Sequence, residues 1–198
     1  ILWTHVNNYL IKLKPDGTID SSFGMFGKQA IDTNILVYNT INHLYLNSLE
    51  LQGNSKLISL SDSKNGDYQV VARLDQDGRI DSTFGVNGLC ELPFVGGIGI
   101  YNVFNLESCK VLKNNYIVVT GRAIDSNQTN NTMDVLVVLI KADGKIDSSF
   151  GNHGIRIIDG GSNINDGGME IISNNANSFI VCGSDYEKYY EMIKFSAA

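Results

Sequence analysis

The three histidines are the side chains of this chain best suited to acid–base or metal chemistry near neutral pH. His5, His43 and His153 lie far apart in the sequence. None belongs to the His-x-His or His-x-x-x-His pairs with which one strand or helix holds a metal. His5 and His43 lie in connecting segments, and of these two only His43 could lie at the mouth of a catalytic channel. The histidines therefore predict no catalytic or metal-ligating residue.

The serine, glycine and carboxylate patterns give no stronger signal. No Gly-x-Ser-x-Gly sequence occurs, so we predict no nucleophile elbow. The glycine-rich residues 95–100 and 159–168 lack the Lys-Ser/Thr pair and the helix that complete a phosphate-binding loop. Asp159 and Asp166 could meet as a pair of carboxylates, but the sequence alone leaves their separation open.

The cysteines point to packing. Cys90, Cys109 and Cys182 are odd in number, far apart, and each lies in an apolar run. This pattern predicts reduced cysteines buried in strands, because a disulfide scaffold or a metal cluster needs paired or closely spaced cysteines.

Composition narrows the class of protein. The chain has 198 residues, 43% of them hydrophobic and 18% charged, which is typical of a globular protein. With 15 basic and 21 acidic residues its net charge is −6, which argues against nucleic-acid binding. No apolar run approaches the roughly 18 residues of a membrane-spanning helix, so we expect no membrane insertion.

An internal repeat organises the chain. Its shared core is Asp-Gly-x-Ile-Asp-Ser-(Ser/Thr)-Phe-Gly-x-x-Gly, and its Asp-Gly pairs begin at Asp16, Asp77 and Asp143. A partial fourth unit covers residues 168–198. The three motif copies occupy residues 11–32, 72–92 and 138–158 of a single segment, residues 1–198.

Each repeat unit predicts four short strands, labelled A to D. We expect strand A at residues 46–52, 109–113 and 169–173, strands B and C upstream of the motif, and strand D after it. Asn and Gly at the A–B joints suit hairpin turns, and no segment has the 3.6-residue apolar period of a helix. The series predicts an all-β fold, a β-propeller of four-stranded antiparallel blades with about three and a half blades in this chain.

Each residue type of the motif has a structural reason. The Asp-Gly pair forms a turn with glycine in a left-handed conformation. The carboxylate of the second aspartate, at Asp20, Asp81 or Asp147, can cap one short turn. We expect the large apolar residues to anchor the loop in the core; they are Ile19, Ile80 and Ile146, and Phe23, Phe84 and Phe150.

The second motif copy also resembles a calcium-binding loop, because Asp75, Asp77 and Asp81 provide closely spaced carboxylates. The position of Asp75 is Lys14 in the first copy and Lys141 in the third. Since lysine is a poor cation ligand, turn capping is the better interpretation. We predict no metal and no cofactor.

Residues 73–88, Arg-Leu-Asp-Gln-Asp-Gly-Arg-Ile-Asp-Ser-Thr-Phe-Gly-Val-Asn-Gly, resemble the bacterial delta-60 repeat, which is assigned to a β-propeller domain of unknown function. The resemblance covers nearly the whole chain. The first copy departs from the pattern at Lys14-Pro15, and the third has Leu139 where the others have Lys12 or Arg73. The resemblance implies a propeller in an exported or cell-surface bacterial protein, and it implies no activity.

Three kinds of function remain open. We favour a non-catalytic binding or scaffold module of a larger bacterial protein, with loops at residues 32–42, 93–105, 124–134 and 159–168 that bind a protein or a glycan. The alternative is a propeller enzyme of lyase, hydrolase or lactonase type, with acids and histidines at the channel mouth. Asn and Ser in these segments favour binding. The third is a structural spacer.

We expect the remaining blades to come from a longer parent chain or from another subunit, because open blades expose strand edges and apolar faces. Tyr186, Tyr189 and Tyr190 are an aromatic candidate surface for a sugar or a partner. Alternation in the last strand favours packing for them instead.

Overall fold

The described part of the chain consists of strands, bridges and turns and contains no helix. In a computed structural model, we describe residues 9–30, 34–37, 40–53, 55–63, 69–92, 101–125, 132–159, 165–173, 178–185 and 190–196. These residues accordingly include no helix long and apolar enough to cross a membrane.

The described strands form successive antiparallel sheets, which are a half-blade and three further blades of a β-propeller. A half-blade contains β1 (Tyr9–Ile11) and β2 (Lys28–Ala30). Blade I contains β4 (Thr40–Gln52), β5 (Lys56–Ser63), β6 (Gln69–Leu74) and β7 (Leu89–Glu91), and β3 (Asn34–Val37) pairs with the start of β4. Blade II contains β8 (Tyr101–Val111), β9 (Ile117–Asp125), β10 (Met133–Ile140) and β11 (Ile155–Ile158). Blade III contains β12 (Asp166–Ser173), β13 (Ser178–Asp185) and β14 (Tyr190–Ser196). The predicted all-β propeller fold is confirmed.

Blade II, which lies between blades I and III, is apolar on both faces. The last seven residues of β10 are all buried, although successive side chains of a strand point to opposite faces. Leu136 and Val138 pack toward blade I, and Val135 and Val137 pack toward blade III. We call the side of a blade toward the preceding blade its front face, and the side toward the following blade its back face.

The phenylalanine of each motif copy lies at a junction between blades. Phe23 of the half-blade is buried against Leu74 of blade I. Phe84 is fully buried in the cluster that joins blades I and II. Phe150 is partly buried, and its ring centroid lies 6.5 Å from that of Phe179 in blade III. The expected anchoring role of these phenylalanines is confirmed.

The motif backbone is the same in all three copies, as the second copy illustrates. The Asp81 carboxylate accepts hydrogen bonds from the backbone N–H of Thr83 at 3.2 Å and from its hydroxyl at 2.6 Å. The N–H of Phe84 donates to the Asp81 carbonyl at 3.1 Å and closes the short turn. The predicted capping role of this aspartate is confirmed.

Two glycine positions of the motif are required by close contacts. Gly144 has a φ of +89°, and a Cβ atom there would overlap the backbone of Gly85 in blade I. Gly88 has a φ of +93°, and a Cβ atom there would overlap the side chain of Ile80. The first position allows one blade to approach the next, and the second closes the loop on its own isoleucine.

The expectation that the motif isoleucines all anchor the core was wrong for Ile19. Its side chain is 47% exposed, whereas Ile80 and Ile146 are partly buried. Ile80 and Ile146 pack against clusters at the front faces of blades I and II. Ile19 belongs to the half-blade, whose front face is exposed.

The predicted boundaries of strand A were also wrong, because the three strands begin earlier, at Thr40, Tyr101 and Asp166. β-bulges interrupt their pairing near Ser48, Ser108 and Glu170. A bulge inserts one residue and shifts the alternation of inward and outward side chains. The first half of each strand therefore lacks a continuous apolar pattern in the sequence. Strand β3 was not predicted, and it lies within the segment expected to be a loop at residues 32–42.

Candidate functional site

The segments expected to be recognition loops share one end of the blades. In an antiparallel A-B-C-D blade, the D-to-A and B-to-C connections leave from one end, and the A–B turns and the C–D motif lie at the other. The described strand ends that flank the predicted loops, among them Asp125, Met133, Ile158 and Asp166, lie at the first end. We call it the loop end and the opposite one the motif end.

A group of three carboxylates lies at the loop end, where blades II and III meet. Asp134 is near the start of β10, Asp159 follows β11, and Asp166 begins β12. Their nearest carboxylate oxygens lie within 4.8 Å of one another. Asp134 and Asp166 are buried and Asp159 is exposed. The structure thus brings together Asp159 and Asp166, whose separation the sequence left open.

This carboxylate group has the ligand type and spacing of a site for a hard cation such as Ca²⁺, which prefers oxygen ligands. The Arg122 side chain lies beside Gly167, the residue that follows Asp166, because a Cβ atom on Gly167 would be 2.7 Å from the Arg122 Nε atom. Arg122 also forms an ion pair with Glu107 at 3.3 Å.

The first strands of blades I, II and III, which are β4, β8 and β12, are joined by polar contacts. We call them the inner strands. The Lys110 ammonium group of blade II donates to the Glu50 carboxylate of blade I at 2.6 Å. The Ser108 hydroxyl of blade II donates to the Glu170 carboxylate of blade III at 2.9 Å. These strands thus carry glutamates as well as Asn and Ser. Glu50 and Glu170 each bind a side chain of blade II, whereas Glu107 pairs with Arg122 of its own blade.

The electrostatics of these inner-strand groups oppose reactivity. The hydrogen bond from Lys110 to Glu50 raises the pKa of Lys110, so the amine stays protonated and cannot act as a base. Burial raises the pKa of Cys109 to about 11, so its thiol stays protonated and is a poor nucleophile. Cys90 and Cys109 are buried and Cys182 is half-buried, and all three are free thiols.

A depression of about 540 Å³ lies at the motif end, where the inner strands of blades I to III finish. Its volume is within the range of small-molecule sites. The depression is open to solvent and holds one charged side chain among its lining residues, which are Leu51, Gly53, Val111, Leu112, Lys113, Asn115 and Ser173.

The calcium-like carboxylates of the second motif copy bind protein groups. The Asp75 carboxylate accepts the backbone N–H groups of Asp77 and Arg79 at 2.9 and 2.8 Å. The Asp81 carboxylate forms ion pairs with Lys56 at 2.8 Å and with Arg73 at 2.9 Å. Burial alone would raise the pKa of Asp81, but its hydrogen bonds to Lys56 and Thr83 and the charge of Arg73 lower it well below its usual range.

Among the sequence candidates, His153 is exposed at the motif end, far along the strands from the three carboxylates. It has a φ of +52°, and the equivalent residues Phe26 and Asn87 each have a φ of +54°. This position therefore has a left-handed backbone in all three motif copies. The side chains of His5 and His43, and those of Tyr186, Tyr189 and Tyr190, lie outside the described residues.

Asp134 is the member of the carboxylate group that sequence reasoning missed. It directly precedes the apolar run of β10 and shares no motif with Asp159 or Asp166. Its proximity to them depends on the pairing of β10 with β11 and on the packing of β10 against β12. The expected order of strands could have indicated that blades II and III meet near the start of β10.

One comparison with known proteins gives a match. A family model described as a domain of unknown function (DUF5122) beta-propeller matches residues 4–23, which include the first motif copy up to Phe23. No curated protein and no solved structure matches the chain. The match is short, and it agrees with the β-propeller fold that the repeating blades show.

Proposed function

We propose that this chain is a non-catalytic binding or scaffold module of a larger bacterial protein, and that it binds a protein or a glycan through its loop end. The observation that carries the proposal is the division between the two ends. The repeated motif maintains one backbone at the motif end, while the segments that differ between units leave from the loop end. Rigid scaffolds with variable loops on one side are suited to recognition.

The hydrogen-bond partners and protonation of the polar side chains also support a binding function over a catalytic one. Lys110 and Glu50 bind each other, and Ser108 binds Glu170, so these groups hold blades together. The protonated thiol of Cys109 is not an activated nucleophile. The resemblance to the delta-60 repeat supports an exported or cell-surface setting, with a ligand outside the cytoplasm.

The experiment is a screen of the immobilised protein against a glycan array and a displayed peptide library. A variant with residues 126–131 replaced by a Gly-Ser linker of equal length tests the loop end. The Lys145→Ala variant is the matched control, because Lys145 is exposed at the motif end and pairs only with Asp143, at 3.4 Å, among the described ion pairs. For a ligand selected in the screen, we expect the affinity of the loop variant to fall at least about tenfold. Loss in the control alone would contradict the proposal.

A second candidate, a propeller enzyme of lyase, hydrolase or lactonase type, is favoured by one observation, the group formed by Asp134, Asp159 and Asp166 at the loop end. Calorimetric titration with Ca²⁺ and Mg²⁺, followed by assays on lactone and ester substrates, tests it. Turnover that the Asp159→Asn variant abolishes would replace the binding proposal by this one. Absence of turnover with every metal would favour binding.

A further inference from the structure

The depression at the motif end is formed jointly by three consecutive blades. Four of its lining residues belong to blade II, two to blade I and one, Ser173, to blade III. Blade II has a neighbour on each side, so the depression is centred inside the chain. Its volume of about 540 Å³ suits a ligand of small-molecule size.

The depression carries a positive charge, although the protein is acidic. The net charge of the chain is −6, and the one charged residue that lines the depression is Lys113. Lys110, three residues earlier, has its ammonium group 2.6 Å from the Glu50 carboxylate. None of the ion pairs between described residues includes Lys113. The charge of Lys113 is thus available to an anion from solution.

The other lining residues suit a ligand that has a polar end and an apolar end. Asn115 and Ser173 provide an amide and a hydroxyl group, and each of these groups can donate a hydrogen bond to a carboxylate. Leu51 and Val111 provide apolar side chains. A largely apolar lining with a few polar groups is typical of small-molecule sites.

Hydrogen bonds fix the turn that carries Lys113. The N–H of Leu112 donates to the Tyr116 carbonyl at 2.8 Å, and the N–H of Asn115 donates to the Leu112 carbonyl at 2.9 Å. The side-chain amide of Gln52 in blade I, which is 5% exposed, donates to the Asn115 carbonyl at 2.8 Å. Because the turn is already ordered, a ligand that binds there loses little affinity to the ordering of backbone.

We propose that this depression binds a small organic carboxylate with a short apolar chain. The carboxylate pairs with the Lys113 ammonium group and accepts hydrogen bonds from Asn115 and Ser173, while the chain of the ligand lies against Leu51 and Val111. A single cation matches the single charge of a carboxylate. The proposal is independent of what the loop end binds, because the two sites lie at opposite ends of the blades.

The test uses hexanoate as the probe and nuclear magnetic resonance as the measurement. Titration with hexanoate should shift the amide signals of Lys113, Asn115 and Ser173 in a saturable manner. Two further compounds separate the two parts of the ligand: hexan-1-ol has the chain without the charge, and acetate has the charge without the chain. We expect each of them to bind at least about tenfold more weakly than hexanoate.

Substitution of Lys113 tests the role of its charge. Lys113→Gln should weaken hexanoate binding at least about tenfold, and Lys113→Arg, which keeps the charge, should retain most of the affinity. Lys145→Gln is the matched control, because Lys145 is an exposed lysine at the same end of the blades and does not line the depression. Its affinity should equal that of the unmodified protein. Thermal unfolding verifies that each variant folds.

Three results would overturn the proposal. The first is the absence of saturable shifts with hexanoate at the amides of the depression. The second is binding of hexan-1-ol as tight as that of hexanoate, which would remove any role for the positive charge. The third is an equal loss of affinity in Lys113→Gln and Lys145→Gln, which would mean that the carboxylate responds only to the total charge of the protein.

Discussion

Arg73 of blade I and Leu139 of blade II occupy the same position of the repeat motif, and they join their blades to the next by different forces. The Arg73 guanidinium donates to the Asp81 carboxylate at 2.9 Å and to the Ala142 carbonyl of blade II at 2.9 Å. It also lies over the ring of Phe84, 4.8 Å from the ring centroid. The junction between blades I and II therefore combines hydrogen bonds, an ion pair and a cation–π contact.

Leu139 has none of these polar contacts and is 3% exposed. It lies in an apolar cluster with Ile171 and Phe179 of blade III. The capping aspartate of this copy, Asp147, has a cation at a longer distance, Lys141 at 3.7 Å. The backbone of the motif is nevertheless the same in both copies. The comparison shows that turn geometry is fixed by the repeated Asp, Gly and Phe, while the chemistry of the junction is free to vary.

The largest expected effect is that of removing the buried phenylalanine. Phe84→Ala should reduce the free energy of unfolding by about 3–5 kcal/mol, because Phe84 is fully buried. Phe150→Ala should cost less, because Phe150 is partly buried. Urea unfolding of both variants measures the difference. Equal losses would show that the two junctions depend on the motif phenylalanine to the same extent.

The next effect comes from converting the polar junction to the apolar one. Arg73→Leu leaves the Asp81 carboxylate, 7% exposed, with Lys56 as its remaining ion-pair partner. Loss of these charged hydrogen bonds should cost about 1–3 kcal/mol. Lys12→Leu is the matched control from the first copy, since the Lys12 side chain is 58% exposed and solvent screens its ion pair with Asp20, so the substitution should cost little. Similar effects of the two substitutions would contradict the role given to Arg73.

A smaller effect should appear in acid. The pKa of folded Asp81 is lowered below its ordinary value of 3.8, so its contacts stabilise the protein fully above that pH. This contribution is lost as the pH falls through the folded-state pKa. Asp81→Asn should therefore lower stability near neutral pH and show a shallower decline on acidification, measured by urea unfolding across the acid range. A variant with an unchanged acid slope would exclude Asp81 as a source of that slope.

The smallest effect concerns the left-handed position of the motif. Phe26 has a φ of +54° and a side chain that is 84% exposed. Asparagine tolerates this conformation best among residues with a side chain and already occupies the position at Asn87. Phe26→Asn should raise the free energy of unfolding by no more than about 1 kcal/mol, which thermal unfolding would show as a slightly higher melting temperature. Asn87→Phe is the reverse test and should lower it by a similar amount.

The sequence predicted what the repeat contains and missed what depends on pairing between strands. The period placed the motif, strands C and D, and the three phenylalanines, because equal sequence gives equal backbone. It missed the early start of β8, since bulges near Asn105 and Ser108 break the alternation. It also placed Ile19 in the core, because the motif carries no information on whether a neighbouring blade covers it.

The candidate site was less predictable than the fold. Asp159 and Asp166 stood out as carboxylates in one segment, whereas Asp134 joins them only through the packing of β10 and β12. The contact of Lys110 with Glu50 spans 60 residues and depends on how neighbouring inner strands meet. Such contacts follow from the stacking of blades, which local spacing does not encode.

The motif of blade I contacts the motif of blade II, and one hydrogen bond tests this contact most directly. The N–H of Gly85 in blade I donates to the carbonyl of Asp143 in blade II at 2.8 Å. Nuclear magnetic resonance can detect the scalar coupling between the Gly85 nitrogen and the Asp143 carbonyl carbon across that bond. We expect a resolved coupling and slow exchange of the Gly85 amide proton, although Gly85 is exposed. No coupling, together with the fast exchange of an unprotected loop glycine, would contradict the account.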